Sequence, residues 1–294
     1  MSREALLTDD QWARIEPLMP SSQGQRGRPF REHRQVLEGI IYRFRTGIAW
    51  RDLPPSFGPW QTVWKRHRRF SSDGTYDRIH TRLLAEADAA GELDWMVSVD
   101  STINRAHQHS ATLARDTGGT VESHESARRE PVDHALGRSR GGLSTKIHHV
   151  CDGRGRPLVI LLGSGQGGDS PMFSHLLAAI TVPRLGAGRP RTRPDAVLAD
   201  KAYSSRANRA LLRQRRIKTV IPEPSDQQGH RKRRGRDGGR PVTYDRDAYR
   251  GRNVVERGFN LLKQWRGLAT RYDKLAITYR GGVTLAAITI WLHQ

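Results

Sequence analysis

Near the end of the chain, Tyr249, Arg252, Glu256 and Lys263 recur at close to helical spacing. Wound as an α-helix at about 100° per residue, they fall within an arc of roughly 60°. Val254, Val255, Leu261, Leu262 and Trp265 fall on the opposite side, which predicts an amphipathic helix over 249–263 with that stripe buried. The polar face holds one carboxylate between an aromatic ring and two cations. Alone, such a face reads as a solvated surface with ordinary charge pairs. Two upstream aspartates change that reading. Asp100 lies in 96–103, where apolar and polar residues alternate as in a strand, and Asp200 follows the continuous apolar run 196–199.

Ligands in open α/β sheets collect at the carboxyl ends of strands, so Asp100, Asp200 and Glu256 are expected to converge there. Three hard carboxylates without a thiol suit Mg²⁺ or Mn²⁺ rather than Zn²⁺. Two such ions, about 3.5–4 Å apart, activate the attacking oxygen and stabilise the leaving one in phosphodiester displacement. Without cations the clustered carboxylates would repel one another. Arg252 and Lys263, one either side of Glu256, suit phosphate contacts.

The elements that must position these groups are readable in order. Thr8 and Gln11 form a capping box before a first helix, and Gly47 suits the end of a second over 32–45. A third over 60–70 packs through Trp60, Val63 and Trp64 and is expected to expose Lys65, Arg66, Arg68 and Arg69. A fourth ends at Gly91. This all-helical segment is compatible with a helix-turn-helix-like DNA reader or with a bundle carrying a solvated basic helix. Trp12, Trp50, Trp60 and Trp64 read as its core.

After residue 92 strands alternate with helices. The stretch 104–142 reads as a long loop rich in His, Arg and Gly. Runs at 144–151 and 157–162, joined by Asp152-Gly153, predict a hairpin. Asp169 or Ser170 is expected to cap a helix with Pro171 in its first position. Helices over 205–215 and 278–292 and a short strand over 219–221 follow. The Gly/Arg-rich stretch 226–240 reads as a mobile basic loop.

The 294 residues carry 50 Lys and Arg against 30 Asp and Glu, a net charge of +20, which points to a polyanionic partner. The single cysteine, Cys151, excludes an internal disulfide framework and fits a reducing, cytoplasmic setting. No signal peptide is evident, and the apolar run 282–292 is too short to span a bilayer.

The spacing Tyr249-x2-Arg252-x3-Glu256-x6-Lys263, following SVDST and LADKAY, resembles the C-terminal signature of bacterial insertion-sequence transposases of the DDE class. The stretches LTDDQWARIEPLMP, FGPWQTVWKRHRRF, GRSRGGLSTKIHHVCDGRGRPL and NVVERGFNLLKQWRGLATRYDKLA resemble the family numbered five, in one group with family four. The resemblance implies an α/β, RNase H-like catalytic domain with a central mixed sheet flanked by helices, over 93–294. An all-helical, helix-turn-helix-like DNA-binding domain over 1–92 would precede it. It further implies that Asp100, Asp200 and Glu256 hold two Mg²⁺ (or Mn²⁺) ions, with Tyr249, Arg252 and Lys263 supporting. The partners would be double-stranded DNA, as terminal inverted repeats and target, and further copies of the chain in a dimer or larger assembly; no membrane is implied. One departure is Ala202, where the group often has glycine before the tyrosine.

Other residues admit two readings. Lys146 and Lys201 are DNA contacts or plain surface lysines. The histidines at 107, 109, 124, 134, 148 and 149 lack the paired-Cys or HExxH spacing of a zinc site. The glycines at 163–168 lack the P-loop Lys-Ser/Thr and read as a turn. The competing functions are a catalytically inactive or repurposed DNA-binding protein and a host nuclease on the same scaffold.

Overall fold

The computed structural model describes residues 6–23, 29–114 and 130–293. The first helix, α1 (Asp9–Ile15), opens with the expected capping box between Thr8 and Gln11. Helix α2 (His33–Thr46) ends on left-handed Gly47, and α3 (Trp60–Ser72) and α4 (Thr75–Ala89) follow.

Strand β1 (Met96–Ala106) starts a mixed sheet. Strands β2 (Gly137–Ser139), β3 (Gly142–Cys151) and β4 (Pro157–Ser164) add antiparallel pairing, with β1 against β3 and β3 against both β2 and β4. After α5 (Asp169–Ala179) comes β5 (Ala196–Ala199), parallel to β1. Beyond α6 (Arg206–Gln214), β6 (Lys218–Val220) pairs parallel to β5. The remaining elements are α7 (Ser225–Arg233), α8 (Arg246–Arg250), α9 (Val254–Lys263), α10 (Arg266–Ala269), β7 (Thr270–Arg271) and α11 (Ala276–Leu292). The main strand order is β2-β3-β1-β5-β6.

Several expectations need correction. β1 runs past Ile103, because Asn104 and Arg105 still pair with Thr145 and Ser144. The supposed loop 104–142 therefore begins in β1, contains β2 and ends on the first residue of β3; its residues 115–129, His124 among them, lie outside the described residues. The stretch 226–240 is not an open loop: it holds most of α7 and a 3-10 turn over Gly235–Gly238. Local i→i−4 bonding satisfies that polar backbone without burial. Helix α5 starts at Asp169 after Gly168, so Pro171 is its third residue rather than its first. Trp12, Trp50, Trp60 and Trp64 are half-buried at the core's edge.

One apolar cluster runs from Leu7, through Phe44, Val63 and Phe70, to the sheet residues Val97, Val150 and Leu162. Helix α11 supplies much of it: Val283, Leu285, Ala286, Ala287 and Ile288 are buried, and the helix packs on α3, α4 and β4. No described helix is long and apolar enough to cross a membrane. Buried polar groups fix how these parts seat. His67 on α3 pairs with the Tyr76 hydroxyl at 3.1 Å and the Thr278 carbonyl at 3.0 Å. His80 on α4 and the Trp291 indole both reach the Pro157 carbonyl, at 2.9 and 2.7 Å. Arg271, fully buried, donates to the carbonyls of His134, Ala135, Asp273 and Lys274.

Burial pushes His67 and His80 down to about 4 and His149 to about 3. These rings stay neutral in the fold while the unfolded chain takes up protons below about pH 6.5. Stability is thus full above that pH and lost as pH falls, by up to about 1.4 kcal/mol per pH unit for each ring. Urea midpoints should fall steadily from pH 7.5 to 5; a flat profile would mean these rings are not buried neutral.

Candidate active site

The parallel register of β1 and β5 decides where the first two carboxylates stand. Val97, Ser98 and Val99 pair with Val197, Leu198 and Ala199, so the next residue on each strand is an aspartate, Asp100 and Asp200. In-register neighbours on adjacent strands, about 4.8 Å apart, share a face. Beyond Val99, β1 has no strand partner on this side among the described residues until Arg105 meets β7. The two aspartates therefore border an opening at a strand end, the usual place for a ligand in such sheets.

Asp100 Oδ1 accepts from the Ser101 N–H at 2.8 Å. Asp200 Oδ1 accepts from the Ala202 N–H at 2.9 Å and caps the 3-10 turn Lys201–Tyr203. Ala202 does not adopt a left-handed φ, so alanine serves here as well as glycine. Burial raises the Asp100 pKa; Arg252 and the Ser101 N–H oppose that rise, and the charges of Asp200 and Asp169 add to it.

The expected single helix over 249–263 is interrupted. Tyr249 ends in α8, Arg252 lies in a 3-10 turn over Gly251–Asn253, and Glu256 and Lys263 belong to α9. The Arg252 guanidinium bridges two carboxylates: Nη2 lies 2.5 Å from Asp100 Oδ2 and Nη1 lies 3.4 Å from Glu256 Oε1. The Glu256 side chain is 59% exposed and reaches Asp100 through this cation. Tyr249 packs on Tyr244 at 5.5 Å over Ala196, Leu198 and Val220; burial raises its pKa, Arg252 lowers it, and Asp200 and Asp100 add to the rise. Lys263 is exposed, with no ion-pair partner among the described residues, and partial burial lowers its pKa. Val254, Val255, Phe259, Leu262 and Trp265 are buried as the apolar stripe, but Leu261 is 43% exposed, lying beside the polar face.

Among the described residues no group of three or more acidic, His or Cys side chains could hold a metal ion as arranged. The donors nevertheless have the right chemistry. They are hard carboxylate oxygens at an opening, and nearby the buried Tyr203 hydroxyl has no hydrogen-bond partner among the described residues. Burial and the charges of Asp169, Asp100 and Asp200 hold the Tyr203 proton in place. Arg252 offsets the negative charge that a dication would otherwise offset.

Two family models match. Residues 92–291 match the family described as "Transposase DDE domain". The chain belongs to the DDE transposases. Residues 7–80 match "Putative transposase of IS4/5 family", which makes this an IS4/5-type transposase. It is 31% identical over 151 residues to "Putative transposase for insertion sequence element IS6501" of Brucella ovis, covering 51% of this chain and 100% of that protein. It is 31% identical over 156 residues to "Putative transposase for insertion sequence element IS402" of Burkholderia cepacia, covering 53% and 65%. "Uncharacterized protein y4sN" of Sinorhizobium fredii is 40% identical over 116 residues, 39% of this chain and 88% of that protein. No solved structure matches the transposase.

Other expected site residues of the transposase divide. Lys65, Arg68, Arg69 and Lys201 are exposed; Arg68 lies over Trp64, and Arg69 pairs with Asp73 at 3.5 Å. Arg66 is not an exposed contact: it is 7% exposed, 3.9 Å over the Phe30 ring, with Nη1 3.0 Å from His33 Nδ1. Its place on the same helical stripe as Val63, His67 and Phe70 explains that burial. Lys146 is not a surface lysine: it is buried, and Asp169 and the Gly167 carbonyl hold its ammonium at 2.8 and 2.7 Å. Asp169, Ser101 and Tyr203 went unmarked as site residues. Their signal is faint: an aspartate at a helix start, and a serine and a tyrosine just after the two aspartates.

Glycine decides how near α9 comes. A Cβ on Gly258 would stand 2.8 Å from the Gly155 carbonyl oxygen and 3.1 Å from His149 Cε1. Helix propensity alone favours Gly258→Ala by about 1 kcal/mol. The backbone clash reverses the sign, and a net loss of about 1–2 kcal/mol is expected in urea unfolding; a gain would mean α9 sits farther out. In the same assay Arg66→Ala should cost about 1–2 kcal/mol, whereas Lys65→Ala stays within about 0.5 kcal/mol.

Proposed function

We propose that this transposase binds the terminal inverted repeats of its own insertion sequence, hydrolyses a phosphodiester at each end and joins the freed 3′-OH to target DNA. The observation that carries this reading is the β1–β5 register, which sets Asp100 beside Asp200, with Arg252 tying Glu256 to Asp100. Asp100, Asp200 and Glu256 would hold two Mg²⁺ ions, which Mn²⁺ could replace. When bound, such a pair activates the attacking oxygen and stabilises the leaving one, and cleavage and joining are both in-line displacements at phosphorus.

The chain's own groups have separable tasks. Asp100, half-buried with one oxygen on the Ser101 N–H, is the fixed carboxylate. Glu256 is the adjustable one, on the exposed face of α9. Arg252, which here supplies the counter-charge to Asp100, would be available to a phosphate where metal ions supplied that charge instead. Tyr249, Lys263 and Lys201 contact the backbone near the scissile bond. Residues 1–92 act as the DNA reader, with Lys65, Arg68 and Arg69 of α3 toward phosphates, and 93–294 as the RNase H-like catalytic unit. Bringing two element ends together calls for a dimer or larger assembly on DNA, working in the cytoplasm at the nucleoid.

Incubation with end-labelled inverted-repeat DNA tests this. Wild type should nick at the element end only with Mg²⁺ or Mn²⁺, and Asp100→Ala should bind equally but not nick. Binding should weaken about 10³-fold or more between 50 and 200 mM salt if six or more phosphates are contacted. Nicking that survives loss of Asp100 would refute the site. Binding without nicking by wild type would leave only a DNA-binding protein.

A further inference from the structure

We infer that Asp169 is a positioning residue for Asp100, acting through Ser101. The inference rests on the reading of Asp100 as a metal-holding carboxylate.

Between Asp100 and Asn104, β1 is paired with β3 on one side and, among the described residues, with no strand on the other, since β5 stops at Ala199 and β7 pairs only from Arg105. This gap removes half the ladder that would hold Asp100. Ser101 lies inside this gap. Its N–H donates to Asp100 Oδ1 at 2.8 Å, and its hydroxyl donates to Asp169 Oδ1 at 2.6 Å. The first bond fixes the Asp100 carboxylate against its own strand, and the second ties that strand to α5 from the face opposite Asp100.

Asp169 is itself anchored. It begins α5, and the same Oδ1 accepts from Lys146 Nζ at 2.8 Å. Lys146 stands on β3 in register with Ile103, two residues along the same face from Ser101. Its ammonium also donates to the Gly167 carbonyl at 2.7 Å, and its side chain is buried. A buried lysine needs its counter-charge, so this pair is costly to separate. Asp169, Lys146 and Ser101 therefore tie α5, β3 and β1 together at the gap and replace the missing strand partner. Residues that orient a metal ligand in this way typically change metal affinity by about 10–100-fold when removed.

The test is Mn²⁺ binding to the full chain without DNA, followed by electron paramagnetic resonance, for wild type, Asp100→Ala, Asp169→Asn, Ser101→Ala and the Ser101→Ala/Asp169→Asn double variant. Asp169→Asn and Ser101→Ala should each weaken Mn²⁺ binding about 10–100-fold, and the double variant no further than the worse single one. If Asp100→Ala binds Mn²⁺ like wild type, the metal-site reading itself fails. If Asp100→Ala loses binding while Asp169→Asn matches wild type, the positioning role is overturned. Loss in Asp169→Asn with wild-type binding in Ser101→Ala overturns the route through Ser101. Should Asp169→Asn fail to fold, Ser101→Ala, which removes one oxygen, decides by itself: loss supports the proposal, and wild-type affinity ends it.

Discussion

Two like charges at adjacent strand ends are the constraint around which this molecule is arranged. Parallel pairing of β1 with β5 leaves Asp100 and Asp200 side by side, and β5 then stops. Two carboxylates this close, with Asp100 half-buried, are unfavourable unless cations or N–H groups face them. The Ser101 and Ala202 N–H groups and the Arg252 guanidinium meet part of that need. Arg252 also joins Glu256 to Asp100, so the helical carboxylate is held near the pair without touching it.

Holding α9 against the sheet is a matter of steric allowance. Gly155 turns the β3–β4 hairpin with φ at +87°, and Gly258 brings α9 down onto that turn. Phe259 stacks near His149 at 5.2 Å, and Val255 and Leu262 close the core behind it. Across the molecule, α11 lies against α3, α4 and β4, so the helical segment and the sheet share one apolar cluster. The buried imidazoles of His67 and His80 and the guanidinium of Arg271 lock that packing with hydrogen bonds.

Much of this was legible in the residues because it depends on local periodicity. The Thr8–Gln11 capping box, the apolar run 196–199, the hairpin at Asp152-Gly153 and the apolar stripe of α9 are short-range patterns, and each forms where its pattern lies. Where reading failed, the cause was long-range. The 3-10 turn at Arg252 breaks a helix that periodicity alone would continue. The charge of Arg66 predicts solvent, yet its position repeats with Val63 and Phe70, and Phe30 receives it. Lys146 looked like a surface cation because nothing nearby in sequence announces Asp169, 23 residues on, as its partner.

The sequence by itself determined which residue types could do chemistry, in which order along the chain, and the resemblance that places it among insertion-sequence transposases. Spacing suffices for that, because side-chain identity and helical or strand period are local properties. Only the tertiary structure decided that Asp100 and Asp200 directly follow the paired residues Val99 and Ala199, that β1 has no strand partner there among the described residues, and that Arg252 rather than open solvent lies between Asp100 and Glu256. Those facts depend on strand pairing and helix docking between segments roughly 100 or more residues apart, where loop closure, packing and charge compensation act together and no local pattern records the outcome.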